Sequence, residues 1–80
     1  MIIQKQWLLA YNVQSLDEDR DLWLINDPLL DDEGFEIQNY YIATSAGADA
    51  FETIAPIGSS YSNFTEINAA VKEWFEKNPK

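Results

Sequence analysis

Apolar residues dominate Lys5–Val13, "KQWLLAYNV", and divide between two faces at strand spacing. Trp7, Leu9, Tyr11 and Val13 fall on one face, and Leu8, Ala10 and Asn12 on the other. That period predicts a first strand, apolar on both faces and therefore central. "QSLDEDR" reads as a polar connection, either a hairpin loop or a single helical turn capped by Ser15 with Glu18. "DLWLIND" is a second strand, ended by Pro28, which cannot donate to a ladder. "PLLDDEG" is a turn closed by Gly34, and "FEIQNYYIAT" is a third strand in which a bulge near Asn39 would reconcile its two halves.

"SAGAD" is a turn of small residues. "AFETIA" fits a fourth short strand, with a short helix as the alternative, and "PIGSSYSN" is a loop. The clearest element comes last. Phe64, Ile67, Val71, Trp74 and Phe75 form one stripe at helical spacing. Asn63 suits the N-cap, Glu66 completes a capping-box pattern, and Asn78-Pro79 ends the helix. The expected fold is α+β: a small antiparallel β-meander of three to four strands, with one C-terminal amphipathic helix packed on one face. Eighty residues are enough for a single domain, 1–80.

Charge changes this picture more than composition does. The net charge is −9, and its placement is uneven. Asp17, Glu18, Asp19, Asp21, Asp27, Asp31, Asp32, Glu33 and Glu36 face one cation, Arg20, so residues 17–36 carry −8. The other sixty residues hold five acids and four lysines and carry −1. Such a field repels nucleic acid and anionic membranes and attracts basic surfaces. Direct nucleic-acid binding needs a Lys/Arg stripe that this chain lacks. No apolar run approaches a membrane span, and the N-terminal "MIIQKQWLLA" reads as a strand and not as a signal peptide. A cytoplasmic location is the expectation.

The chemical inventory is short. There is no cysteine and no histidine, which removes thiolate chemistry, the commonest general base and the commonest nitrogen ligand. Without histidine the serines at 59, 60 and 62 cannot join a conventional triad. Asp17, Asp19 and Asp21 have the opening spacing of a calcium loop. Leu22 stands where that loop needs glycine, however, and Pro28 where it needs the closing glutamate. "NFT" at Asn63 matches a glycosylation acceptor on a residue that already serves as a cap. No catalytic residue, metal ligand or cofactor is assigned, and the chain is read as no enzyme. Trp7, Trp23 and Trp74 lie on apolar stripes and are read as core. Tyr40 and Tyr41 are adjacent in a strand and point to opposite faces, so one is expected to reach the uncovered side of the sheet.

The expectation is therefore a non-enzymatic module that binds protein. Its candidate contact residues are the nine carboxylates named above together with Tyr40 and Tyr41. The two acidic turns flanking one strand would form a negative ridge against a partner's basic surface, such as the groove of a nucleic-acid-processing enzyme or complex. In size and charge the chain resembles small acidic inhibitors of such enzymes, of the anti-CRISPR, anti-restriction and nuclease-immunity types. The alternative is an accessory or assembly subunit that uses an exposed aromatic sheet face around Tyr40 or Tyr41.

Overall fold

The computed structural model describes residues 1–9, 12–60 and 64–79. Among the described residues six strands and one α-helix follow in chain order: β1 (Ile2–Gln4), β2 (Val13–Asp17), β3 (Leu22–Asn26), β4 (Leu29–Leu30), β5 (Glu36–Ser45), β6 (Ala50–Ser60) and α1 (Phe64–Lys77). The α+β class and the C-terminal helix match expectation; the strand number and the topology do not. The sheet order is β1-β6-β5-β3-β2, with β4 paired to β5, and every pairing is antiparallel. Strands β3, β5 and β6 are a meander, and β2 adds to it as a hairpin partner of β3. Strand β1 breaks the pattern by pairing with β6, nearly fifty residues on, through Ile2–Glu52, Ile3–Phe51 and Gln4–Ala50.

Among the described residues of 5–12 the expected central strand does not form, and Val13 belongs to β2. Lys5–Trp7 is a 3₁₀ turn closed by the Leu8 amide donating to the Lys5 carbonyl at 3.0 Å. The alternation there imitated a strand, but Trp7 is 67% and Leu9 57% exposed, so neither is core. Residues 10 and 11 of that stretch lie outside the described residues. The expected polar connection instead begins as β2, and Ser15 pairs with Trp23 as a strand residue and caps nothing.

The fourth strand is longer than expected and runs through Pro56 to Ser60. It carries two extra residues, Ile54 and Ile57, opposite the Ala43–Ile42 and Tyr41–Tyr40 steps of β5. The bulges are thus on β6 and not at Asn39. They also explain the proline. The Thr53 amide points away from β5 and donates to the Met1 carbonyl at 2.9 Å. Counting on past Ile54, the Pro56 nitrogen points outward too, beyond the last β1 pair, where no ladder bond needs it.

Alternation along the strands builds two cores, one on each face. Leu22, Leu24 and Ile42 face the helix and meet Ile67 and Val71, with Leu16, Tyr40, Ala55, Ile57, Trp74 and Phe75 packed around them. Ile3, Ile25, Ala43 and Phe51 fill the other face, with Leu8, Val13, Trp23 and Tyr41. Both Ile25 and Ile42 are fully buried. The face away from α1 is therefore not a bare sheet surface. The stripe on α1 is as expected at Ile67, Val71, Trp74 and Phe75. The cap and glycosylation acceptor at Asn63 lie outside the described residues. Asn26, a buried polar residue, is satisfied: its amide donates to Gln38 and Asn12, and its carbonyl oxygen accepts the Asn39 amide at 3.0 Å.

Candidate protein-binding site

Register decides where the acidic stretch goes. Residues 18–21 join β2 to β3 beside the C-terminal end of β5, where Asp21 bonds Ser45. Residues 31–35 join β4 to β5 at the N-terminal end of β5, next to Glu36. The ten residues of β5 separate the two turns by about 30 Å. The carboxylates thus form two clusters at opposite ends of one strand. The two clusters also differ in what their side chains do.

At the first end the charged groups are occupied with structure. Asp17 accepts the Asp19 amide at 3.1 Å, the Arg20 amide at 3.3 Å and the Arg20 Nε at 3.1 Å. Arg20 reaches on to the Asn78 carbonyl at 2.8 Å and lies 5.2 Å from the centroid of the Phe75 ring. The single arginine therefore clamps the C-terminal end of α1 to the β2–β3 turn, where a cation also suits the helix dipole. Asp21 has φ 55°, a left-handed conformation that aspartate tolerates better than most residues. Its carboxylate accepts Trp23 Nε1 at 2.8 Å, the Ser45 amide and hydroxyl at 2.9 Å each, and the Thr44 hydroxyl at 3.0 Å. These donors, Trp23 first, lower its pKa from 3.8 to about 2 against an opposing effect of desolvation. Asp17 and Asp21 point to different partners, so the calcium-like spacing does not converge. Among the described residues no group of three or more metal-ligating side chains gathers. Glu18 and Asp19 are exposed on the outside of this turn.

At the second end the arrangement is reversed. Asp31 alone organises the turn. Its carboxylate accepts the Glu33 amide at 2.9 Å and the Phe35 amide at 2.8 Å. Its own amide donates to the Phe35 carbonyl at 2.8 Å, and its carbonyl accepts the Gly34 amide at 3.0 Å. Gly34 supplies the left-handed φ of 86° that closes the loop. Asp32, Glu33 and Glu36 are left exposed, and Asp27 is half-buried at the base, its amide donating to the Asn39 carbonyl.

This end also carries a feature that the sequence reading assigned to a plain turn. Leu29, Leu30 and Phe35 are 52%, 73% and 62% exposed. Leu29 and Leu30 are neighbours in β4 and so project to opposite faces, yet both are bare. Among the described residues, pairing of β5 with β6 runs as far as Gln38–Ser60, and residues 36–37 of β5 pair with β4. The available signal was a pair of leucines beside Pro28 within a run otherwise typical of turns.

Tyr40 and Tyr41 do point to opposite faces, and both are half-buried: Tyr40 packs on the helix-side cluster and Tyr41 on the other. The Tyr41 hydroxyl also accepts Asn39 Nδ2 at 2.9 Å. Trp23 and Trp74 are half-buried, Trp74 in edge-to-face contact with Phe75. A shallow depression of about 200 Å³ lies between β6 and α1, lined by Pro56, Ile57, Ala70, Glu73, Trp74 and Lys77. Its rim is an exposed ion pair of Glu73 and Lys77 at 2.9 Å, whose hydrogen bond lowers the glutamate pKa and raises that of the lysine. Among the described residues no helix is long and apolar enough to cross a membrane. No protein-family model, curated protein or solved structure matches the chain.

Proposed function

We propose that this chain is a non-enzymatic, cytoplasmic protein-binding module, an inhibitor or decoy that covers a basic nucleic-acid-binding surface of its partner. The observation that supports this reading is the concentration of −8 in residues 17–36, with the outward-facing share of it on two turns. No cation occurs between Arg20 and Lys72, so nothing in the intervening chain neutralises that field. Long-range attraction of this kind speeds association with a Lys- and Arg-rich groove and is screened by salt.

The test is affinity capture from host lysate with parallel low-salt and high-salt washes. The wild-type chain is compared with a variant carrying Glu18→Lys, Asp19→Lys, Asp32→Lys and Glu33→Lys. Those four side chains are exposed, whereas reversing Asp17 or Asp21 would remove turn-forming acceptors. A nucleic-acid-handling protein should be captured stoichiometrically at low salt, shed at high salt and lost to the variant. Retention through high salt, or equal capture by the variant, would refute the reading.

A further inference from the structure

The two acidic ends are not equivalent, and the difference identifies a docking element. At the β2–β3 end Asp17, Asp21 and Arg20 hold the fold together. At the β4–β5 end one carboxylate, Asp31, shapes the turn, and Asp32, Glu33 and Glu36 are exposed along the same hairpin as three exposed apolar side chains. Leaving Leu30 and Phe35 in water is unfavourable, and burying them against an apolar surface is favourable. The turn that displays them is not a loose solubility tail. Four hydrogen bonds within residues 31–35 fix its shape, so little ordering would remain to be done on binding.

From this we infer that the β4–β5 hairpin tip inserts edge-on into an apolar cleft rimmed by lysine or arginine on a partner protein, burying Leu30 on one face and Leu29 and Phe35 on the other. Charge complementarity selects this occupant. Asp32, Glu33 and Glu36 are exposed at the same turn and the start of β5. A second copy docked tip to tip would bring two such sets of acids together, and an anionic membrane would repel them. The inference rests on the reading of the chain as a binder of basic surfaces. It adds which end binds and which residues anchor the contact, an apolar anchor inside a polar rim.

The probe is a short amphipathic leucine–lysine peptide, followed by amide NMR shifts of the full chain. A lysine-only peptide of equal charge serves as the comparison. The expected result is saturable shifts concentrated in residues 29–36 with the amphipathic peptide. Its binding should be about tenfold weaker to the variant Leu30→Ser/Phe35→Ser, whose charge is unchanged. Both positions are exposed, so the variant should stay folded, which its own NMR spectrum checks. Shifts concentrated at residues 17–21, or equal affinity of variant and wild type, would overturn the inference. If the lysine-only peptide binds equally well to wild type and variant, the tip anchor is refuted while the charge-based reading stands. If neither peptide binds, both fall. A dimer of the free chain that Leu30→Ser dissolves, or tighter binding to phosphatidylcholine vesicles than to the peptide, would replace the proposed occupant.

Discussion

Replacing Arg20 with alanine should undock the end of α1. The guanidinium makes three contacts: Nη1 to the Asn78 carbonyl at 2.8 Å, Nε to Asp17 Oδ2 at 3.1 Å, and its face against the Phe75 ring at 5.2 Å. A charge-assisted hydrogen bond contributes about 1.5–3 kcal/mol when protected from water and less at this exposed carbonyl. A surface ion pair contributes about 0.2–1 kcal/mol, and an exposed cation–π contact about 0.5–1 kcal/mol. The Arg20 and Asp17 side chains are only 26% and 14% exposed, which places the pair toward the upper part of its range. The contacts share one side chain and are not additive, so the expected loss is about 2 kcal/mol. For a domain of this size that lowers Tm by about 8–16 °C. Thermal unfolding by circular dichroism measures it, and amide exchange should show faster opening in the last turn of α1. Arg20→Lys keeps the charge but loses the fork, so it should fall between. A Tm drop under about 2 °C with unchanged exchange at Trp74–Lys77 would refute the clamp.

Asp21 makes stability depend on acid. Its folded pKa of about 2 lies below the unfolded value of 3.8, so its contribution is complete above about pH 4 and is lost as pH falls toward 2. Asp21→Asn should lower Tm at neutral pH and flatten the Tm-versus-pH curve between pH 4 and 2; an unchanged acid limb would contradict this. Ile42 is fully buried between β3 and α1, so Ile42→Ala should cost about 2–5 kcal/mol and Ile42→Val about 0.5–1.5 kcal/mol in urea titrations. Gly34 has nothing near its missing Cβ, so Gly34→Ala should cost only the left-handed backbone, about 1–2 kcal/mol, with no rearrangement of the sheet in amide shifts.

Local chemistry made β3, the length of β5 and α1 legible in the sequence. Each has a strong period and a clear stop, at Pro28, at "SAGAD" and at Asn78-Pro79. What escaped was set by partners distant in sequence. A three-residue strand such as Ile2–Gln4 has no period to detect, and it exists because Ala50–Glu52 offers it an edge. The alternation at Trp7–Leu9 carried no information about which residues a 3₁₀ turn would leave in water. Pro56 marked a loop by rule, and bulges with an outward-facing nitrogen made it compatible with a strand. The acidic stretch was legible as charge but not as placement. That Asp17 and Asp31 shape turns follows a recognisable pattern, whereas the separation of the two turns depends on β5 running between them.

The pairing of β1 with β6 has a consequence for the order in which the chain folds. Hairpins β2–β3 and β5–β6 close short loops, but Ile2–Gln4 must find Ala50–Glu52 across nearly fifty residues. Closing so long a loop costs about 2 kcal/mol more in chain entropy than closing a five-residue turn. Docking of β1 therefore belongs after the rate-limiting barrier, when the meander has already formed an edge to receive it. Truncating Ile3 should then speed unfolding and leave the folding rate nearly untouched, whereas truncating Leu24 should slow folding itself.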